Sequence, residues 1–329
     1  MDGYKSLTAR ECAEALIKVD DPIVVMHARP DGDTVGAGTA LCLILMALGK
    51  RVNYACAHKI PDRLTFLTEG IEAASGDLSE RPAICVDVAS PAQLGELNGR
   101  IRPTLMIDHH EFGEAFADNY IIPGASSAAE VVFTVLRELI AMGRATLTPE
   151  IAERLYTGIS SDTGGFIFSN TTPTTLRTVA ELIEVGIDFS DLNHKLFHSK
   201  SEEQIRLEGF IASTLKRTPC GRVTYATVTK ADRERLAVLP EHTETAIDVV
   251  RSLIGTEIAF VIKESADGEY KCSLRSTGAN VAEVAREFSG GGHVRAAGCT
   301  IYAQNIDTAT HLVLERIKKE LIKENEKDN

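Results

Sequence analysis

The chain has 329 residues and a hydrophobic fraction of 44%, enough for two domains with buried cores, which argues against a disordered protein. Its formal net charge of −12 disfavours binding to long nucleic acids, because that affinity comes mainly from lysine and arginine displacing counterions along many phosphates. The sequence carries no targeting signal and no window near the roughly 18 apolar residues of a membrane helix. We therefore expect a cytoplasmic protein without a membrane partner. Seven cysteines without C-x-x-C pairs predict buried thiols rather than a zinc or redox site.

The first half of the chain alternates short β-rich runs with helical stretches, which is typical of a mostly parallel sheet covered by helices. Helices are predicted at residues 34–49, 126–142 and 149–158, the last opened by Thr148 as its cap and ended near Gly158. We predict an α/β fold, a doubly wound and mostly parallel sheet, for a domain of residues 1–187. Its strands, continuous apolar runs expected to be buried on both faces, are placed at residues 22–28, 52–57, 83–88 and 104–107.

The second half of the chain begins with a change in composition. Residues 188–208 are polar and charged, and we interpret them as a connecting helix or linker. Residues 209–329 are predicted to form a second, smaller α/β domain with a hairpin turn at Asp267-Gly268. Its predicted elements are strands at residues 222–229, 257–263 and 270–275, a helix at residues 280–288, a strand at residues 299–303 and a last helix from about residue 307.

Acidic and imidazole side chains are concentrated where the predicted strands of the first domain end. Ligands of an open parallel sheet bind beyond the carboxyl ends of its strands, so we expect these side chains to meet in one cavity. Pro30 and Gly32 suit a tight turn that directs the neighbouring carboxylates into it. The set consists of His27, Asp31, Asp33, Asp87, Asp108, His109, His110 and, just after the helix predicted to end near Gly158, Asp162.

Each part of this set has a structural explanation when it is taken alone. A D-x-D segment in a loop is usually turn chemistry, Asp87 could cap a helix, and a histidine pair is more often hydrogen-bonded than metal-binding. The combination at strand ends favours a metal centre instead. Carboxylate and imidazole donors without thiolates favour manganese, magnesium, cobalt or iron over structural zinc. A carboxylate shared by two ions about 3.5–4 Å apart is the arrangement of two-metal phosphoesterases.

The order H-x-x-x-D-x-D, then Asp, then Asp-His-His, then Asp resembles the DHH phosphoesterase superfamily, which takes its name from the motif at Asp108-His109-His110. The segment Gly290-Gly-Gly-His293-Val-Arg-Ala-Ala-Gly298 is similar to the glycine-rich signature of the partner domain called DHHA1. The resemblance spans nearly the whole chain. It points to the small stand-alone members, the oligoribonucleases that also act as 3′-phosphoadenosine 5′-phosphate phosphatases.

The resemblance implies two manganese ions, with Mg²⁺ or Co²⁺ as alternatives, bridged by Asp87. It further implies that Asp108 orients a ligating imidazole and that His110 contacts the scissile phosphate. The chain departs from the family pattern at Arg29, where Asn is common, and at Thr34, where a small apolar residue is usual. The implied ligands are His27, Asp31 and Asp87 for one ion, and Asp33, Asp87, His109 and Asp162 for the other.

In the second domain the resemblance implies a set of substrate-binding residues. Without it, Arg275 would be interpreted as a surface charge at a strand end, and the three glycines as a flexible turn. Glycines in such a run also let backbone N–H groups approach a phosphate, and arginine can bind a phosphate through two hydrogen bonds. The implied residues are Arg275, Ser276, Gly291, Gly292 and His293.

The implied function is hydrolysis of short oligonucleotides to nucleoside monophosphates, and of 3′-phosphoadenosine 5′-phosphate to AMP, with the second domain closing over the first. Because the chain is acidic, we expect any nucleic-acid substrate to be short and no long duplex to bind. The resemblance implies a length of about two to five nucleotides. Three alternatives stay open: a phosphodiesterase for linear or cyclic dinucleotides of signalling pathways, a family II inorganic pyrophosphatase, and a catalytically silent nucleotide-binding module. The preferred substrate, the polarity of degradation and the oligomeric state are also left open, with a homodimer as one alternative.

Overall fold

The apolar runs of the first half form one sheet in a computed structural model that describes residues 3–243 and 245–327. The chain divides into two units, Met1–Ser199 and Lys200–Asn329. The strands of the first unit are β1 (Ile23–Met26), β2 (Asn53–Ala55), β3 (Pro82–Val86), β4 (Arg102–Asp108) and β5 (Asp118–Ile121). They lie in the order β2-β1-β3-β4-β5, and all neighbours are parallel. The predicted fold class is confirmed for this unit.

Both faces of this sheet are covered, because alternate residues of each strand enter different apolar clusters. Val24 and Ile84 belong to the cluster that the helices cover, whereas Val25 and Cys85 belong to a separate cluster on the other face. The helices are α1 (Ala9–Lys18), α2 (Gly32–Ala47), α3 (Ala128–Ala141), α4 (Pro149–Asp162), α5 (Pro173–Glu184) and α6 (Phe189–Asn193). Because α2 is buried around most of its circumference, it forms the centre of this layer.

Several predicted helix boundaries differ from the structure, and two of the differences have a clear physical reason. Helix α2 begins at Gly32 rather than at residue 34, because Asp31 caps it: Oδ1 of Asp31 accepts hydrogen bonds from the backbone N–H groups of Asp33 and Thr34, both at 3.1 Å. Helix α4 does not end near Gly158 but continues to Asp162. Gly158 lies inside the helix because a side chain there would collide with α3 and α2: a Cβ would lie 2.6 Å from Cβ of Ala129 and 2.9 Å from Oδ1 of Asp33.

The second unit contains a six-stranded sheet with helices. Its strands are β6 (Lys216–Arg217), β7 (Val223–Val228), β8 (Ile258–Ala266), β9 (Glu269–Ser276), β10 (Gly291–His293) and β11 (Ala296–Tyr302). Its helices are α7 (Glu202–Thr214), α8 (Lys230–Leu236), α9 (Ala246–Arg251), α10 (Val281–Arg286) and α11 (Ile306–Lys327). The strand order is β10-β11-β9-β8-β7-β6, and only the β7–β8 pair is parallel among the pairs described.

The hairpin predicted at Asp267-Gly268 is confirmed, because these two residues join the antiparallel strands β8 and β9 and Gly268 has a φ of 73°. Residues 188–208, predicted to be a connecting helix or linker, contain α6 and the start of α7. Among the described residues, no helix combines the length and apolar character needed to cross a membrane.

Gly291 and Gly292 lie in strand β10, so the flexible turn that the three glycines would indicate without the resemblance is not formed. Gly291 pairs with Gly298, and Gly292 pairs with Ala297. A Cβ on Gly290 would lie 2.3 Å from the carbonyl oxygen of Gly298, and Gly292 adopts a φ of 136°. Close approach of β10 to β11 therefore requires glycine here.

Candidate metal centre

The predicted ligands meet at the carboxyl edge of the parallel sheet, as the strand order requires. His27 follows β1, Asp87 follows β3, and His109 follows Asp108, the last residue of β4. The remaining ligands come from the start of α2 and the end of α4. Three groups of side chains each place their candidate ligand atoms within 4.8 Å of one another: His27, Asp31 and Asp87; Asp33, His109 and Asp162; and Asp87, Asp108, His109 and His110.

Asp87 lies between the first two groups. Its Oδ2 is 3.4 Å from Nε2 of His27, and its Oδ1 is 3.6 Å from Nε2 of His109. The side chain is almost completely buried, so the solvent does little to stabilise its charge. Asp87 also has a φ of 59°, in the left-handed region that few residues other than glycine and asparagine adopt. Such strained positions are concentrated at functional sites.

Besides Asp87, the two groups contain three further carboxylates, which lie near the same imidazole nitrogens. In the first group, Oδ2 of Asp31 lies 3.6 Å from Nε2 of His27. In the second, Oδ2 of Asp162 lies 3.8 Å and Oδ2 of Asp33 lies 4.0 Å from Nε2 of His109. Each imidazole nitrogen therefore faces at least two carboxylates.

Asp33 is held by the N-terminus of α3. Its Oδ2 accepts a hydrogen bond of 2.6 Å from the N–H of Ala128, and its Oδ1 accepts one of 3.0 Å from the N–H of Ala129. Helix N-termini favour negative charge, and here one fixes the orientation of the carboxylate. Burial and the charges of Asp87 and Asp162 nevertheless raise the pKa of Asp33 well above its usual value. The site thus contains more negative charge than its own groups neutralise.

His109 provides the test of whether a cation fits. Its Nδ1 lies 3.1 Å from the carbonyl oxygen of Ala125, which can only accept, so Nδ1 carries the hydrogen. In a neutral imidazole, the lone pair of Nε2 then points towards the carboxylates of Asp33, Asp87 and Asp162. A nitrogen lone pair that faces carboxylate oxygens is repelled by them unless a positive charge lies between. A divalent cation would supply that charge and would be bound by all of these donors. The donor set therefore fits the metal ions that the sequence implies.

The same excess of negative charge changes the pKa of His27. Burial lowers its pKa, but the hydrogen bonds and charges of Asp31 and Asp87 outweigh that effect and raise the pKa to about 11. A cation at this position would take over the role of the proton.

Asp108 organises the two histidines that follow it. Its Oδ1 accepts hydrogen bonds of 2.8 Å from both the backbone N–H of His109 and Nδ1 of His110. Burial lowers the pKa of His110, but the bond to Asp108 outweighs it and raises the pKa to about 9. The ring that Asp108 holds is thus that of His110, while the carbonyl of Ala125 holds the ring of His109.

The substrate residues predicted in the second unit lie close together in its sheet. The backbones of His293, Ala296 and Arg275 form one row across β10, β11 and β9. The half-buried guanidinium of Arg275 donates to the carbonyl oxygen of Leu274 at 2.9 Å, and burial lowers its pKa. The hydroxyl of Ser276 donates to the carbonyl oxygen of Ala279. Gly291 and Gly292 belong to β10, and the side chain of His293 lies outside what the structure describes.

Sequence reasoning missed the groups that hold the ligands in place. Ala125 contributes only a backbone carbonyl, which leaves no signal in the residue type. Asn170 donates to the backbone carbonyl of Asp162, and Glu130 accepts from the backbone of Ser126, next to the residues that hold Asp33 and His109. The spacing of these two polar residues from the motifs gave no indication of it. The capping signal of Ser127, which accepts from the N–H of Glu130, could have placed the start of α3.

The chain is similar to known proteins. The chain matches the N-terminal domain of the DHH family over residues 22–159 and the DHHA1 domain over residues 221–319. A protein of Thermus thermophilus, named bifunctional oligoribonuclease and PAP phosphatase NrnA, is 31% identical over 321 residues, covering 95% of this chain and 94% of that protein. This chain therefore belongs to the DHH/DHHA1 phosphoesterase family, and it is a metal-dependent hydrolase of phosphate esters.

Solved structures agree on the fold. An exopolyphosphatase-related protein from Bacteroides fragilis superposes with a TM-score of 0.84 at 26% identity, covering 94% of this chain and 96% of that one. The exonuclease RecJ of Thermus thermophilus, solved in complex with Mn²⁺, gives a TM-score of 0.57 at 15% identity, covering 94% of this chain and 55% of RecJ. The second similarity concerns the fold alone.

Proposed function

We propose that this chain is a manganese-dependent hydrolase that converts short oligonucleotides to nucleoside monophosphates and 3′-phosphoadenosine 5′-phosphate to AMP. The observation that carries the proposal is Asp87, whose two oxygens each face a different histidine-containing group. The name of the Thermus thermophilus relative, an oligoribonuclease and PAP phosphatase, supports this substrate class. The net charge of −12 supports short substrates, because longer strands are held through many basic contacts. We propose a length of about two to five nucleotides on the resemblance to the oligoribonucleases.

In this proposal His27, Asp31 and Asp87 hold one cation, and Asp33, Asp87, His109 and Asp162 hold the other. Two such cations would neutralise charge on the phosphoryl group and on the leaving oxygen. Manganese is preferred over magnesium because imidazole nitrogen suits it better than it suits the harder ion, with Mg²⁺ or Co²⁺ as alternatives.

The chain's own residues prepare the site. The N-terminus of α3 fixes Asp33, and Ala125 selects the tautomer of His109 that presents Nε2 to the centre. Asp108 fixes the ring of His110 through Nδ1, so that this imidazole would donate to an oxygen of the scissile phosphate. These groups are oriented before substrate arrives, which lowers the cost of reorganisation during the reaction.

The second unit would recognise the rest of the substrate. Among the described residues, the guanidinium of Arg275 has no carboxylate within ion-pair distance, although it is half-buried. A phosphate would satisfy such a group through two hydrogen bonds. Ser276, Gly291, Gly292 and His293 complete the proposed set, since the sheet register brings their backbones near Arg275.

The test measures products from a dinucleotide, a long single-stranded RNA, a linear dinucleotide of the signalling type and 3′-phosphoadenosine 5′-phosphate, each with Mn²⁺. We expect nucleoside monophosphates from the dinucleotide and AMP from the phosphoadenosine, with slow turnover of the long RNA. Asp87→Ala should lower kcat by more than about tenfold, or about 1.4 kcal/mol in activation free energy.

Asp62→Ala is the control, because it removes a carboxylate that is 85% exposed and distant in sequence from the motifs. It should retain wild-type rates, and circular dichroism should show that both variants are folded. Rapid degradation of the long RNA would contradict the proposed substrate class, and a fully active Asp87→Ala variant would contradict the proposed centre.

A further inference from the structure

One short segment, residues 125–129, contacts two of the three members of the group Asp33, His109 and Asp162 directly. Its N–H groups at Ala128 and Ala129 donate to Asp33, and its first carbonyl, that of Ala125, accepts from His109. Asp162 lies on a different element, the last residue of α4. The segment therefore orients two of the three ligands through its backbone. The position of Asp162 relative to them must depend on another group.

Asn170 makes that connection. Its Nδ2 donates a hydrogen bond of 2.9 Å to the carbonyl oxygen of Ser126 and one of 3.1 Å to the carbonyl oxygen of Asp162. Both hydrogens of the amide are thereby used. The carbonyl of Asp162 is one of the last four of α4, which lack partners within the helix, so this bond also caps the helix end.

The remaining polar atom of the Asn170 side chain is its amide oxygen, Oδ1. Its Oδ1 is buried, and within the described part of the chain it has no hydrogen-bond partner. A buried carbonyl without a partner is unfavourable, so the two donated bonds must offset its cost. The donor function of Asn170, rather than its acceptor function, holds this residue in place.

Ser126 is fixed independently of Asn170. Oε2 of the buried Glu130 accepts from the backbone N–H of Ser126 at 2.9 Å, from the Ser126 hydroxyl and from the hydroxyl of Thr175 at 3.0 Å. Loss of Asn170 would therefore leave the segment of residues 125–129 in place and release Asp162.

We propose that Asn170 is a positioning residue for one of the two cations: it holds Asp162 in register with Asp33 and His109. The inference rests on the proposed function, because it takes these three side chains as ligands. Among the described residues, Asn170 makes no hydrogen bond to His27 or Asp31, so it has no direct contact with the two ligands that belong to the other cation alone.

The experiment titrates the metal-free full-length chain with Mn²⁺, using calorimetry to resolve the two binding events. Asn170→Ala should weaken one event about 10- to 100-fold, as loss of a group that orients a ligand typically does, and leave the other unchanged. Thr171→Val is the matched control, because the neighbouring Thr171 hydroxyl is also buried and, within the part of the chain that the structure describes, has no hydrogen-bond partner, so it does not bond to either carbonyl. It should bind both ions like the wild type.

Asn170→Asp is a second variant, because it has the same shape but an ionised carboxylate has no hydrogen to donate to the two carbonyls. It should weaken the same event. Circular dichroism checks that both Asn170 variants are folded. Unchanged affinities in the Asn170 variants, or equal weakening of both events, would overturn the positioning role. A wild-type chain that binds no Mn²⁺ would instead overturn the metal centre of the proposed function, which separates the two failures.

Discussion

At the scale of single residues, the centre depends on side chains whose two ends have different partners. His109 donates from Nδ1 to Ala125, which leaves Nε2 for the carboxylates. Asp87 presents one oxygen to His109 and the other to His27. For His109, the contact outside the centre fixes the orientation of the nitrogen that faces it.

Arg275 offers a residue-scale test of the second unit. Arg275→Ala should raise KM for a dinucleotide about tenfold to a hundredfold, the 1.5–3 kcal/mol of a charge-assisted hydrogen bond. KM for a small chromogenic phosphodiester should change much less, because that substrate has no second phosphate or base to be held. A contact made equally in the ground and transition states appears mainly in KM, so kcat should be retained.

Lys271→Ala is the control for charge alone, because Lys271 lies on the same strand with an exposed side chain. Steady-state kinetics on both substrates decide the outcome. Equal losses on the two substrates would mean that Arg275 supports the fold rather than the substrate.

At the scale of elements, the packing of α2 against α4 sets the distance between the ligands that they carry. A Cβ on Gly36 of α2 would lie 2.5 Å from the carbonyl oxygen of Arg154 and 2.8 Å from the backbone nitrogen of Gly158. A Cβ on Gly32 would collide with the side chain of Ser161 in the same way, at 2.3 Å from its Oγ. Glycine at these positions lets the start of α2 approach the end of α4.

Gly36→Ala should therefore destabilise the chain by about 1–3 kcal/mol, since the backbone of α4 cannot yield as a side chain would. Urea unfolding of the Mn²⁺-free chain measures the effect. Gly209→Ala is the comparison: Gly209 lies in α7, and no atom lies within 4 Å of the Cβ that would be added. That variant should be stabilised by about 0.4–1 kcal/mol. Similar stabilities of the two variants would contradict the close contact of α2 and α4.

At the scale of the whole molecule, metal binding and protonation compete. Before a cation binds, Asp31 and Asp87 overcome the effect of burial on His27 and raise its pKa to about 11. A ligating histidine must lose this proton, so binding at neutral pH releases it to the solvent. Burial raises the pKa of Asp33 as well, so this carboxyl also binds a proton more readily and competes with the cation.

The apparent affinity for Mn²⁺ should therefore rise as the pH increases from the acidic range towards the pKa of His27. Calorimetry in buffers of different protonation enthalpy measures the number of protons released. Binding that is independent of pH and releases no proton would contradict imidazole ligation by His27.

The local sequence determined the elements whose signals lie within a few residues. The buried strands β1, β3 and β4 follow from continuous apolar runs, and the hairpin turn follows from Asp267-Gly268. The ligand types, and their position at strand ends, follow from the motifs. By contrast, β5 was missed because its four residues, Asp118–Ile121, include two polar ones and become a strand only by pairing with β4.

Only the tertiary structure determined how the ligands are held. Ala128 and Ala129 lie far along the chain from Asp33, and Gly36 lies far from Arg154, so no local pattern connects them. The end of α4 at Asp162 was likewise mispredicted, because Gly158 usually breaks a helix and is retained here for close packing. Local propensity and periodicity are properties of neighbouring residues, whereas hydrogen bonds and helix contacts of this kind exist only after distant segments have packed together.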